Sequence, residues 1–239
     1  MKEYGKSNLK IVLLGFVLSI VSLTTGIIAI VGYRQEWWRH VEAFSIFGWA
    51  TYIAIASIVL LIIGIYINRN NKSKSTLVLN ILSILFSLPI ILGTSLFNYA
   101  AIAYPAINDI STDTINPPSY WDMPTPMEYP VDKFAKKQQK AYPDVKTLKL
   151  TQTLEVVFQK SLNIINENGW EIVGEDVGEG QIEAVASSTF FGFKDEIVIR
   201  LVKFEEGTIV DIRSRSRIGK IDRGANAKRI INFIKKLMK

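Results

Sequence analysis

Three long apolar stretches fill the first hundred or so residues of this chain, roughly 9–33, 43–67 and 77–104, and beyond Lys10 none of them carries a charged side chain. A hydrocarbon core about 30 Å thick is crossed by about 20 consecutive helical residues, so each stretch is long enough to span one. The remainder, from Pro105 to Lys239, is polar enough to fold in water. The pattern predicts a membrane-anchored α+β protein with three units: a three-helix transmembrane anchor over residues 1–104, a Pro-rich extended segment over 105–150, and an α/β soluble domain over 151–239.

The formal net charge of +6 suggests an anionic partner until it is divided by region. Residues 1–104 hold eight Lys/Arg against Glu3, Glu36 and Glu42, whereas the rest holds 20 basic against 19 acidic residues. The basic excess belongs to the membrane flanks, which removes the main support for nucleic-acid binding. Cysteine is absent and the single histidine, His40, lies between the first two apolar stretches. The polar domain therefore lacks the thiolate or imidazole that most nucleophilic and zinc sites use. No metal or other cofactor is expected, and any acid/base chemistry there would rest on Asp, Glu, Lys or Tyr.

Short-loop Lys and Arg set orientation through the positive-inside rule. Lys2, Lys6 and Lys10 precede the first stretch and Arg69, Lys72 and Lys74 separate the second from the third, while the loop 34–42 is charge-balanced. This places the N-terminus in the cytoplasm and the polar domain outside it, periplasmic or extracellular, on a multi-pass cell (inner/plasma) membrane protein. The first stretch is longer than a signal-peptide core and lacks a small-x-small ending, so it is expected to be retained. Gly15, Ser19, Ser22 and Gly26, with Ala50 and Ala54, give small-residue faces suited to packing between the anchor's own helices. Pro89 is expected to kink the third helix, and Asn80 and Asn98 to reach headgroups or other helices. With no ionisable side chain at membrane depth, a pump or channel is not expected.

Seven of the eight prolines fall in 105–143, among Asp, Ser, Thr and Asn typical of turns and with Tyr120, Trp121, Met123, Met127 and Tyr129. An extended segment lying along the domain is expected. Beyond it, Leu154, Val157, Phe158, Leu162 and Ile165 recur at helical spacing, and Asn168-Gly169 is a stop signal. Strands follow at about 170–175, 181–189, 196–203 and 208–217, and a last helix, capped by Asp222, carries Ala227, Ile230, Ile231, Ile234 and Leu237 on one face. The order α-β-β-β-β-α predicts a two-layer α/β sandwich with an antiparallel sheet.

A tight turn at Glu205-Glu206 would set Arg200 opposite Asp211 and Glu196 opposite Arg215. Ile197, Ile199, Leu201, Val210 and Ile212 would then face the core, leaving Arg200, Asp211, Arg213, Arg215 and Arg217 on the other side. That face reads either as a solvated surface with cross-strand ion pairs or as a ligand-binding site for an anion, since clustered guanidinium groups bond phosphate or carboxylate. Arg200 is expected to pair with Asp211, with Arg213, Arg215 and Arg217 freer to meet a ligand. Phe190, Phe191 and Phe193 read as the closed end of a core or as a lipid or interface contact.

Several stretches resemble an uncharacterised bacterial family, Domain of Unknown Function 1499. They are 105–113 with Asn116-Pro117-Pro118, Tyr142-Pro143-Asp144, Gly169-Trp170-Glu171-Ile172-Val173, 191–196 and 214–227. The resemblance covers essentially 105–239; the family often has His where Asn108 stands, and three preceding membrane helices are similar to what some members carry. It supplies no catalytic residues. The expected function is a non-enzymatic extracytoplasmic binding or interaction module, with the lipid bilayer and an anionic ligand or envelope protein as partners. The alternatives are a carboxylate-dependent envelope hydrolase using Asp109, Asp113, Asp195 or Asp222, and an accessory subunit of an envelope complex.

Overall fold

A computed structural model describes residues 2–70, 73–124 and 128–239, with side chains from Leu9 onward. Lys72 and Met127 lie outside the described residues, as do the side chains of Lys2, Glu3 and Lys6. The chain divides into two compact units, Met1–Tyr99 and Ala100–Lys239.

The first unit is built from α1 (Lys2–Arg34), α2 (His40–Ile67) and most of α3 (Lys74–Ala103). All three are long and apolar enough to cross a membrane, over 26, 28 and 30 residues. The small residues lie where the helices meet: Ser22 Oγ donates to the Ala50 carbonyl at 2.8 Å and Ser57 Oγ to that of Gly15 at 2.7 Å. Ser87 Oγ donates to Ser57 Oγ at 3.2 Å, and the Thr51 and Thr94 hydroxyls share a bond of 2.7 Å, tying α3 to α2. The face that carries Gly15 and Ser22 is thus an intramolecular packing surface, while Leu13, Ile27, Ile62 and Leu85 point outward, as lipid-facing side chains do. Helix α3 runs through Pro89 without a break. Asn80 is buried, and among the described residues its Oδ1 has no hydrogen-bond partner.

The second unit contains β1 (Asp109–Ser111), α4 (Val131–Ala141), β2 (Leu148–Leu150), α5 (Leu154–Glu167), β3 (Glu171–Asp176), β4 (Gln181–Ser187), β5 (Lys194–Phe204), β6 (Gly207–Ser216) and α6 (Ala225–Leu237). The strands form one antiparallel sheet in the order β1-β6-β5-β4-β3, with β2 also paired to β6. Helices α5 and α6 bury Val157, Phe158, Ile165, Ile230 and Phe233 against Ile182, Ile197, Ile199, Val210 and Ile212. The predicted helix–four strands–helix skeleton is present. The β5–β6 hairpin has the expected register, with Arg200 opposite Asp211 and Glu196 opposite Arg215. Its turn depends on Gly207, whose φ of 144° is open only to glycine and whose α-carbon faces the Leu150 carbonyl too closely for a β-carbon.

Two expectations change. The Pro-rich region is not extended throughout: it contributes the short strands β1 and β2 and the 11-residue helix α4. And the arginine-bearing sheet face is not a solvated surface, because a strap made of residues 109–124 and 128–130 lies across it. Asp109, Tyr120, Met123 and Tyr129 from that segment are buried together with Val185, Val198, Arg213 and Arg215 from the sheet. The sheet is covered on both sides, with helices on one and this strap on the other.

Candidate functional site

Alternation along β5 and β6 puts Glu196, Val198, Arg200, Asp211, Arg213 and Arg215 on the strap side. At the centre, Arg213 makes a bidentate pair with Asp109: Nε donates to Oδ1 at 3.0 Å and Nη2 to Oδ2 at 2.7 Å. Its Nη1 donates to the Pro118 carbonyl at 3.1 Å. The guanidinium is 2% exposed and lies 4.9 Å from the Tyr120 ring centre and 5.7 Å from that of Tyr129. Tyr120 also carries Arg215 at 4.4 Å, and its hydroxyl donates to the Glu196 carbonyl at 3.1 Å. Two cations thus share one electron-rich ring, an arrangement that favours guanidinium over ammonium.

Glu196 is 0% exposed and holds two arginines: Arg215 Nε donates to Oε2 at 2.7 Å and Arg217 Nε to Oε1 at 2.9 Å. Arg200 donates to Asp211 Oδ2 at 2.9 Å and to the Asn116 carbonyl at 2.8 Å, and lies 3.4 Å from Asp113. Asp211 Oδ1 accepts from Thr112 and Thr147 hydroxyls. Glu183, on β4, accepts from the backbone N–H groups of Trp121 and Asp122 and from Gln181. On α4, the buried amide of Gln138 donates to the Ser111 carbonyl at 2.6 Å and accepts from the Ser111 N–H and the Tyr129 hydroxyl, both at 2.9 Å.

Arg200 pairs with Asp211 as expected, but Arg213 and Arg215 are not mobile surface groups and Arg217 is held by Glu196. Burial pushes the Asp109 carboxyl above the usual carboxylate range, with Arg213 acting in the opposite sense. Burial also raises the phenol of Tyr120 well above its ordinary value and that of Tyr129 likewise, the nearby Asp109 charge adding to both.

Between the two limbs of the strap is a cleft of about 550 Å³, lined by Asn116, Pro117, Ser119 and Tyr120 on one limb, Glu128, Tyr129 and Val131 on the other, and Arg213. Of the candidate ligand-binding residues read from sequence, Arg200, Asp211, Arg213, Arg215 and Arg217, only Arg213 lines it. Tyr120, Tyr129 and Asn116 join it from the Pro-rich region, where the sequence showed turn chemistry, aromatic residues and the Asn116-Pro117-Pro118 resemblance but no sign of a site.

Each aspartate of the hydrolase alternative has a structural partner. Asp109 holds Arg213, and Asp113 Oδ1 accepts from the Ile115 and Asn116 N–H groups. Asp195 pairs with Arg229 at 2.6 Å, and Asp222 accepts from the Gly224 and Asn226 N–H groups at the start of α6. Phe190 is exposed at the β4–β5 turn, where the Phe191 and Phe193 rings stack with centres 5.2 Å apart.

Residues 109–237 match a family described as a protein of unknown function (DUF1499). The chain belongs to the DUF1499 family. The match runs from the first residue of β1 to the last of α6, so the strap, the cleft and Arg200, Arg213, Arg215 and Arg217 all lie within the DUF1499 domain. No curated protein matches the chain in sequence.

Proposed function

We propose that the protein is a membrane-anchored binding module which presents its DUF1499 domain outside the cytoplasm and takes a ligand in the cleft between the limbs of the strap. The observation that carries this reading is the cleft itself, lined by two tyrosine rings, a buried guanidinium and the polar residues Asn116, Ser119 and Glu128. Pockets of this size with a few placed polar groups are the usual form of small-ligand sites. The basic flanks of the anchor support the extracytoplasmic side.

Charge compensation shapes the choice of ligand. The arginines on this face are Arg200, Arg213, Arg215 and Arg217; the carboxylates bonded among them or beside them are Asp109, Asp113, Glu183, Glu196 and Asp211. The acids are the more numerous, so a phosphate would meet no net attraction. A neutral envelope component with hydroxyl or carbonyl groups and a flat apolar face suits the cleft better, since it can stack on tyrosine and bond to Asn116 and Ser119. The test is native mass spectrometry of the full-length protein released from its membrane, comparing the wild type with Asn116→Ala and Ser119→Ala. A stoichiometric adduct in the wild type that is lost in the two variants is expected. An adduct that survives both changes would move the site elsewhere, and no adduct in any sample would count against ligand binding.

A further inference from the structure

We infer that copies of this chain associate head to tail through the two edges of the DUF1499 sheet, the lysine face of α4 in one copy meeting the acidic edge along β3 in the next. The domain is close to neutral as a whole, but its charge is segregated along the sequence. Residues 131–149 carry Lys133, Lys136, Lys137, Lys140, Lys146 and Lys149 against Asp132 and Asp144. Residues 161–193 carry Glu167, Glu171, Glu175, Asp176, Glu179 and Glu183 and contain no Lys or Arg.

The fold puts these two segments at opposite edges. In the order β1-β6-β5-β4-β3 the outer strands are β1 and β3, four strand spacings or about 19 Å apart. At the β1 edge the Gln138 amide takes both backbone groups of Ser111, as a neighbouring strand would, and so seats α4 there. Phe134, Ala135 and the buried Gln138 share the inner side of this helix. At 3.6 residues per turn, Lys133, Lys136, Lys137 and Lys140 fall within an arc of about 100° on its outer side, and all four are exposed. At the other edge, no strand among the described residues pairs with the outer side of β3. Glu171, Glu175 and Asp176 are exposed along it, with Glu179 exposed in the turn that follows.

Neither set is neutralised within its own copy. Among the described residues the lysines with an ion-pair partner are Lys194 and Lys236, so the four on α4 have none. On the acidic side Glu171 stands 3.8 Å from Lys194 and Asp176 accepts the Gly178 and Glu179 N–H groups, while Glu175 and Glu179 have no cation beside them. The two lines of charge also match in length. Lys133 to Lys140 spans about 10 Å of helix and Glu171 to Glu175 about 13 Å of strand. Like charge selects the mode of contact: β3 against β3 would oppose acid with acid, and α4 against α4 lysine with lysine. A two-fold contact through either edge is repulsive, and the heterologous one is attractive. Exposed ion pairs are individually weak, so the association is reversible and sensitive to salt, and anchoring copies in one membrane raises their effective concentration.

A charge swap tests this, read by sedimentation velocity of the full-length protein in an uncharged detergent. The wild type should form species larger than one chain at low ionic strength and shift to single chains as NaCl approaches about 1 M, where the Debye length is about 3 Å. One variant carries Lys136→Glu, Lys137→Glu and Lys140→Glu, and a second carries Glu171→Lys, Glu175→Lys and Glu179→Lys. Each alone should sediment as single chains at low ionic strength. Mixing the two should restore the larger species, because each edge of one variant now meets its opposite charge on the other, and that recovery also shows that both variants are folded. A wild type that stays single at low ionic strength, larger species untouched by either set of changes, or a mixture that restores nothing would each overturn the head-to-tail contact. A single-chain wild type that binds added polyphosphate, with binding lost on the Lys→Glu changes, would assign the lysine face to a polyanion instead. None of the substituted residues lines the cleft, so these readings stand apart from whether it holds a ligand.

Discussion

Asp109, the first residue of β1, and Arg213, in the middle of β6, are 104 positions apart in sequence and joined by two parallel hydrogen bonds of 3.0 and 2.7 Å, both side chains being buried. The pair holds the strap to the sheet at its centre. Burying two charges costs several kcal/mol per ion, which the mutual attraction and the additional bond to the Pro118 carbonyl offset. Such a pair adds little to net stability when intact and is expensive to break from one side only.

Arg213→Ala should therefore destabilise the DUF1499 domain by about 3–5 kcal/mol, and Asp109→Ala by a similar amount, because each leaves the other charge buried and unpaired. Replacing both by apolar residues of similar volume should cost less than either single change. The exposed pair of Lys236 with Glu167 gives the contrast: Glu167→Ala should change stability by no more than about 1 kcal/mol. Urea unfolding followed by tryptophan fluorescence measures all four, and a silent Arg213→Ala would mean that the pair is not buried in the protein in solution.

Glu196→Ala should be among the most damaging single changes, at about 3–5 kcal/mol or more, since it strands Arg215 in the interior and releases Arg217. Arg217→Ala should cost only about 1 kcal/mol, because this side chain reaches solvent and Glu196 keeps Arg215. The same unfolding experiment separates the two, and equal effects would contradict the ranking.

Gln138→Leu should cost about 1–3 kcal/mol for each group left without a partner among the Ser111 N–H, the Ser111 carbonyl and the Tyr129 hydroxyl. Hydrogen exchange should show the change first in β1 and around Tyr129. Uniform protection across the domain in the variant would mean that α4 does not lock the strap.

The residues differ in how much of this was legible in sequence, for physical reasons. Ile197, Ile199, Leu201, Val210 and Ile212 alternate with polar residues about a tight turn, so the hairpin and its register follow from period and turn length. Helix α4 was hidden because one of its inward positions is Gln138, a polar residue that is buried only because Ser111 and Tyr129 satisfy it. Strands β1 and β2 are three residues long, too short to show a period. The burial of the arginines could not be read locally at all. Residue type signals solvent for Arg213, and what removes the solvent is an acid 104 positions away together with two tyrosines of the strap.

The tyrosines give a pH test. From residue 105 on the chain has Tyr120, Tyr129 and Tyr142, and burial raises all three phenols, with nearby charge from Asp109 or Asp222 adding to the effect. A raised folded-state pKa means the neutral form is favoured when folded. The stability this contributes is complete below the unfolded tyrosine value of about 10 and is lost as pH rises above it. In residues 105–239 expressed alone, phenolate absorbance should appear together with loss of structure in one alkaline transition, and phenolate forming near pH 10 in a folded domain would contradict it.

The extracytoplasmic reading of the domain, and the envelope ligand proposed for it, depend on which side of the membrane the domain stands. The most direct measurement is a pair of fusions to a reporter that is active only outside the cytoplasm, one after Lys239 and one at position 71 in the loop between the second and third helices. The basic flanks predict activity after Lys239 and silence at position 71. Activity at position 71 with silence after Lys239 would place the domain in the cytoplasm and contradict the proposed function.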